Sequence, residues 1–334
     1  MTGRRAYLDH NATAPLRPEA HEALVASLSE LGNPSSIHAE GRAARRRIET
    51  ARSEIASGFG VKPACVTFTS GGSEAATTVL SPSFGRDRRA TGPARTLITS
   101  AIEHPCVLAG GRFAPEAIQS VGVTTSGEID LVALDDSLAQ ASGSAVVALM
   151  GANNETGVIQ PIASVAERVA AIPNASLIVD AVQWIGRRPF SWPTAGLDAV
   201  FLSAHKLGGP KGIGAIIRRD TSVAFDPLII GGGQEGRLRA GTEAVALIAS
   251  FAAAFKAATA DVEAEAERLA GLRDIFEREI ARLASDAVFL GANADRLPNT
   301  SLVAIPGLKS ETAVIGLDLA GVAVSSGSAC SSGK

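Results

Sequence analysis

Two residues of this chain, a lysine and an aspartate, have the types and setting for carbonyl chemistry. Lys206 closes Ser203-Ala204-His205-Lys206, just after the apolar run Asp198-Ala199-Val200-Phe201-Leu202. Asp180 closes a shorter run, Ile178-Val179-Asp180. If the two runs are neighbouring strands, an amine and a carboxylate face one ligand. That pair suits an aldehyde cofactor with a ring nitrogen. The amine condenses with the aldehyde, and the carboxylate keeps the ring nitrogen protonated so that the ring accepts electrons, as pyridoxal phosphate requires. A third candidate is Cys330, inside the loop Ser325-Ser326-Gly327-Ser328-Ala329-Cys330-Ser331-Ser332-Gly333. Such a Ser/Gly segment behaves as flexible chain, and a thiol on it points to sulfur transfer. A free thiol has a pKa of about 8.5, so Cys330 needs a nearby cation to act as a thiolate. Lys206 is a candidate for that cation.

Other segments read in two ways. Thr69-Ser70-Gly71-Gly72-Ser73-Glu74 follows a strand candidate and opens a helix. Its small residues let backbone N–H groups approach a phosphate at the helix N-terminus. The same residues fit an ordinary turn with Ser73 as N-cap. His104, in Glu103-His104-Pro105, fits a structural role or a ring that stacks on a flat cofactor and moves a proton. Cys106 is the rival nucleophile, but its flanks read as a helix start with a buried thiol. Asn153-Asn154-Glu155-Thr156-Gly157 offers amides for a turn, a phenolic oxygen or a carboxylate. Gly231-Gly232-Gly233-Gln234-Glu235-Gly236 matches a dinucleotide-binding glycine pattern, yet Arg237-Leu238-Arg239 follows where a helix should open. It reads as a flexible cationic loop.

The elements that must position these residues alternate. Strand candidates are 66–69, 96–99, 146–149, 177–179, 199–202 and 214–217, with helices expected over 73–80, 105–113 and 161–171. The run Val146-Val147-Ala148-Leu149 does not alternate, which predicts a strand buried on both faces. Alternating units of this kind predict an α/β fold with a mostly parallel sheet covered by helices. One long connecting helical stretch is expected from about 242 to 284. A strand near 301–305, a helix near 311–320 and a strand near 322–325 then form a smaller α+β domain.

The 334 residues are 46% hydrophobic and 19% charged, with a formal net charge of −3, which suits a globular protein and gives no general attraction to nucleic acid. Arg45-Arg46-Arg47, with Glu49 placed to pair with Arg45, reads as a solvated helix face. The N-terminus has no apolar core of a signal peptide, and the longest apolar stretch, Ala244 to Phe255, is too short to span a membrane. The cysteines Cys65, Cys106 and Cys330 are odd in number and lack metal-ligand spacing, which implies a reducing cytoplasm and no metal site.

Taken in order, the motifs resemble the cysteine desulfurases of the NifS/IscS type, in the class V aminotransferase superfamily. They are Tyr7-Leu8-Asp9 with Ala12-Thr13, Gly32-Asn33-Pro34-Ser35-Ser36-Ile37-His38, Thr69-Ser70-Gly71, Glu103-His104, Asn153 to Gly157, Asp180-Ala181-Val182-Gln183, Ser203 to Lys206, Gly209-Pro210-Lys211-Gly212-Ile213-Gly214, Arg239-Ala240-Gly241-Thr242 and Ser325 to Cys330.

The resemblance implies the type I fold of pyridoxal-phosphate transferases, with a seven-stranded type of sheet in a large domain over 12–255. Residues 1–11 and 256–334 would form the small domain, which carries the Cys330 loop. The family continues past that loop with an arginine for the substrate carboxylate, so the resemblance presents this small domain as shortened at the C-terminus.

It further implies that Lys206 forms the Schiff base, Asp180 pairs with the pyridinium, His104 stacks on the ring, Gln183 bonds the phenolic oxygen, and Asn154 lies near that oxygen and the substrate carboxylate. Gly72, Ser73, Ser203 and His205 would hold the phosphate, and Thr242 would reach the phosphate of a second subunit in a homodimer. Lys206, Cys330 and His104 would carry catalysis. The implied reaction removes sulfur from L-cysteine, giving L-alanine and a persulfide on Cys330, for a sulfur-acceptor protein such as an iron–sulfur scaffold. A class V aminotransferase, a selenocysteine lyase, or a pyridoxal-phosphate-binding protein without turnover are the alternatives.

Overall fold

A computed structural model describes residues 5–86, 92–141, 144–192 and 196–327. In chain order its strands are β1 (Ala6–Tyr7), β2 (Val66–Thr69), β3 (Gly85–Arg86), β4 (Thr96–Ser100), β5 (Ile118–Val121), β6 (Ala145–Met150), β7 (Ser176–Asp180), β8 (Leu197–Ser203), β9 (Gly214–Arg218), β10 (Val223–Ala224), β11 (Val288–Leu290), β12 (Leu302–Ala304) and β13 (Val322–Ala323).

Seven of these form the central sheet, in the order β2-β9-β8-β7-β6-β4-β5. The strands from β8 to β5 are mutually parallel, while β9 runs antiparallel to both β8 and β2. The sheet is therefore mostly parallel, as expected, and both of its faces are covered. Within β6, Val147 and Leu149 join a core with Ile48, Ile55 and Phe251, whereas Val146 and Ala148 join a second core with Leu80, Phe84 and Phe201. A strand that feeds two cores has no polar face to show, which explains its unbroken apolar run.

Helices Pro18–Leu28 and Ala39–Gly58 pack on Val245–Thr259, outside one face. Arg45 pairs with Glu49 at 3.1 Å on the exposed side of the second of these, as its spacing predicts.

The structure corrects two expectations and adds a strand. The helix predicted over 105–113 is a single turn, Pro105–Leu108. Gly110 and Gly111 follow with φ of +77° and +59°, and a Cβ on Gly111 would lie 2.3 Å from the Leu80 carbonyl oxygen. The long helix is two, Val245–Thr259 and Val262–Leu283, bent by 69°. An unpredicted edge strand, β5, was hidden by its sequence Ile-Gln-Ser-Val, which is only partly buried. Among the described residues no single helix is long and apolar enough to cross a membrane.

Away from the sheet, β1 pairs with β13 and β11 with β12.

Candidate active site

The carboxyl ends of parallel strands are where an open α/β sheet leaves a crevice for ligands. Here β7 ends on Asp180, and its neighbour β8 ends on Ser203 and runs into the 3-10 turn Ala204–Lys206. Glu103 and His104 follow the end of β4, and Asn153 and Asn154 follow β6. The helix Gly72–Val79 points its N-terminus at the same place, because Gly72 lies against Val182 and Ser203, where an added Cβ would sit at 3.4 Å from each. At the sheet, Gly214 lets β9 pass close to this loop; its Cβ would fall 2.5 Å from the Leu202 carbonyl oxygen and 2.8 Å from the Gly71 carbonyl carbon.

Asp180 is buried, and its Oδ1 accepts the Val182 N–H at 2.9 Å. Burial raises its pKa to about 6, against the lowering pull of that N–H and of the Lys206 charge. Lys206 Nζ donates to the carbonyls of Asn11 at 2.5 Å and Ala12 at 2.9 Å. His104 has its pKa lowered by burial and then by the Lys206 charge, so its ring is neutral at pH 7. The Cys106 N–H donates to His104 Nδ1 at 3.2 Å, which places the ring proton on Nε2. Burial first, then Lys206 and Lys211, push His205 down to about 4, and its Nδ1 lies 3.2 Å from Thr13 Oγ1. The Cys106 thiol is 3.0 Å from His104 Nδ1, and burial pushes it up to about 12, which leaves it almost without thiolate at neutral pH.

The structure thus gathers Gly72, Ser73, His104, Asp180, Gln183, Ser203, His205 and Lys206 at one end of the sheet. Asn154 joins them through its carbonyl, which accepts from Asn11 Nδ2 at 3.1 Å. Asn153 is the turn-former, accepting the Glu155 and Thr156 N–H groups at 3.0 and 2.9 Å. Thr242 is exposed, on the segment after Arg239, whose guanidinium bonds Glu74 of the helix Gly72–Val79 at 3.0 Å. Cys330 lies outside the described residues. The residues leading toward it, Val324, Ser325 and Gly327, line a cavity of about 670 Å³ together with Lys206, Asn11 and Asn154.

Three contributors were missed by sequence reasoning. Asn11 sits between motif residues Asp9 and Ala12, yet its carbonyl accepts from both Lys206 and Gln183 Nε2, the latter at 3.0 Å. Arg187 lies buried behind Gln183 and Lys206. Glu235 anchors the glycine loop that the sequence presents as flexible: its carboxylate takes two bonds of 2.7 Å from buried Arg52 and one of 2.8 Å from the Phe68 N–H. No local pattern marks such long-range partners.

The donor set fits pyridoxal phosphate. Asp180 is a buried carboxylate with room in its charge balance for a ring N–H. The helix Gly72–Val79 opens at Gly71 with no side-chain cap, which leaves its first N–H groups for an anion. Lys206 supplies the amine.

The description Aminotransferase class-V matches residues 6–333 of the chain. The chain is 40% identical to the cysteine desulfurase IscS of Dictyoglomus turgidum, over 98% of this chain and 83% of that protein. It is 41% identical to a cysteine desulfurase of Cereibacter sphaeroides, over 98% and 84% respectively. Among solved structures it is similar to a NifS-like protein from Rickettsia africae, with a TM-score of 0.88 and 34% identity, covering 98% of this chain and 89% of that one. The chain therefore belongs to the class-V aminotransferase family, among its cysteine desulfurases of the IscS/NifS type.

Proposed function

We propose that this chain takes sulfur from L-cysteine with pyridoxal phosphate as cofactor, releasing L-alanine and passing the sulfur on through Cys330. The observation that carries this reading is the placement of Lys206 and buried Asp180 at the ends of neighbouring parallel strands, under the uncapped helix at Gly72.

When bound, the cofactor supplies an electron sink for the substrate's Cα. Lys206 Nζ would hold the cofactor's aldehyde and, once released, take the Cα proton. Asp180 would keep a proton on the ring nitrogen. The N–H groups at Gly72 and Ser73, with Ser203 and His205, would hold the phosphate. Gln183 and Asn154 would face the phenolic oxygen. His104 would stack on the ring and offer its Nε2 proton. Cys330 would take the substrate sulfur: the C–S bond of cysteine breaks, an S–S bond forms, and a thiol proton ends on the carbon product, alanine. A thiol poised for that step suits a reducing compartment, so we place the chain in the cytoplasm.

Thr242, exposed on its own subunit, would serve the phosphate of a second copy in a homodimer. Sedimentation of a cofactor-loaded monomer at micromolar concentration would contradict this. The sulfur would go to an acceptor protein such as an iron–sulfur scaffold. We also propose a large domain over 12–255 and a smaller one over 1–11 and 256–334, a division supported by the pairing of Ala6 with Val322.

The test is an absorption spectrum of the purified chain with pyridoxal phosphate, followed by product analysis with L-cysteine. A visible band and alanine with sulfide are expected. Amino transfer to a keto acid without alanine from cysteine would overturn the reading.

A further inference from the structure

The structure fixes the orientation of the Gln183 amide at both ends. An amide can be turned end for end, and its oxygen and nitrogen then exchange roles. Here both ends have partners that allow only one choice. Arg187 Nη1 donates to Gln183 Oε1, and a guanidinium has no acceptor. Gln183 Nε2 donates to the Asn11 carbonyl at 3.0 Å, and a carbonyl has no donor. The amide oxygen is therefore held inward by Arg187. The amide nitrogen is turned toward the side where Asn11 also receives Lys206.

Arg187 is built for this task rather than for an ion pair. It is 8% exposed, and its remaining bonds go to the carbonyls of Gln183 at 3.1 Å, His10 at 3.3 Å and Lys206 at 3.5 Å. All of these acceptors are neutral. Burial alone moves its pKa, down to about 10, and no carboxylate among the described residues opposes that shift. Keeping a cation buried on neutral acceptors is costly, so such a residue needs a reason to be there. Gly186, at φ +78°, makes the turn that returns Arg187 beneath Gln183; a Cβ there would lie 2.9 Å from the Ala258 Cβ.

We propose that Arg187 is a positioning residue that locks Gln183 as a hydrogen-bond donor to the cofactor's phenolic oxygen. This rests on the proposed function. A donor to that oxygen draws electron density from it and weakens its hold on a proton. Loss of the lock lets the amide turn, so the oxygen holds its proton more tightly.

The test is a pH titration of the visible band of the full chain loaded with pyridoxal phosphate. In Arg187→Met the midpoint is expected to rise by about one pH unit, a tenfold gain in proton affinity. Gln183→Ala should give a similar rise, and the double variant should give no more than Gln183→Ala alone, because the two residues act as one unit. Arg187→Lys keeps a group that can only donate to Gln183, because an ammonium has no acceptor. It is expected to titrate like wild type, and it carries the test if Arg187→Met does not fold.

An unshifted midpoint in Arg187→Met, additive shifts in the double variant, or a raised midpoint in Arg187→Lys would each overturn the inference. A wild-type chain that develops no visible band with pyridoxal phosphate would overturn the proposed function and this inference with it.

Discussion

Lys206 Nζ donates to the carbonyl oxygen of Asn11 at 2.5 Å, across 195 residues of sequence. The Ala12 carbonyl shares the same amine at 2.9 Å. The N-terminal segment thus lies directly over the end of β8 and holds the lysine inside the cavity. Lys211, by contrast, is exposed.

Lys206→Ala is accordingly expected to abolish the visible band that pyridoxal phosphate gives with the wild-type chain. Borohydride reduction and peptide mapping check the assignment. An unchanged band with the cofactor trapped on Lys211 would move the role there.

Asp180 should matter for retention of the cofactor. Its buried carboxylate has the Val182 N–H and the Lys206 charge to stabilise it, and breaking a buried ion pair by removing one partner costs about 3–5 kcal/mol. Asp180→Ala should release pyridoxal phosphate readily on dialysis and almost stop removal of the Cα proton. Near-normal hydrogen exchange at Cα of L-cysteine in that variant would rule the pairing out.

Much of this architecture was legible in the sequence. Val146 to Leu149 had to be buried on both faces because nothing in the run is polar, and the ends of β7 and β8 carry the two residues whose chemistry is most specific. The illegible parts are those made by partners far apart in sequence. Asn11 is recognisable only once Lys206 folds over it. Glu235 looks like part of a glycine-rich loop until Arg52, 183 residues away, meets its carboxylate. The break between Val245–Thr259 and Val262–Leu283 falls in an Ala-rich stretch with no glycine or proline, where Asp261 at the N-cap and Glu263 and Glu265 in the first turn are the only marks of a new helix. The 105–113 helix failed because two glycines there take positive φ, which helical periodicity does not register.

Glu103 predicts a pH dependence of stability. Ser100 Oγ and the Met150 N–H both donate to its Oε1, at 2.5 and 2.8 Å, while Oε2 is buried with no partner among the described residues. Burial raises its pKa from 4.5 to about 8. A carboxyl raised on folding contributes stability that is complete below its unfolded value and is lost as pH rises through its folded value. Wild-type stability from this group should therefore fall between about pH 4.5 and about pH 8 and level off above that window. Glu103→Gln has no such titration, so its melting temperature relative to wild type should climb through that window. Asp180 shifts in the same direction, and its charge adds to the rise at Glu103, so the difference reads Glu103 together with that coupling. Thermal unfolding of the cofactor-free proteins as a function of pH checks this, and a constant offset between the two would contradict it.

The most direct measurement concerns Cys330. The cofactor-loaded chain is treated with L-cysteine, and its three cysteine-containing peptides, at Cys65, Cys106 and Cys330, are examined by mass spectrometry while alanine is measured in the supernatant. Sulfur transfer through Cys330 predicts a gain of about 32 Da, one sulfur, on the Cys330 peptide. Cys330→Ser should still bind the cofactor but form neither persulfide nor alanine, because a serine hydroxyl lacks the thiolate route. Cys65→Ser and Cys106→Ser should remain active. The same mass gain on the Cys106 peptide alone, or alanine formation undiminished in Cys330→Ser, would contradict the proposed function of Cys330 at its centre.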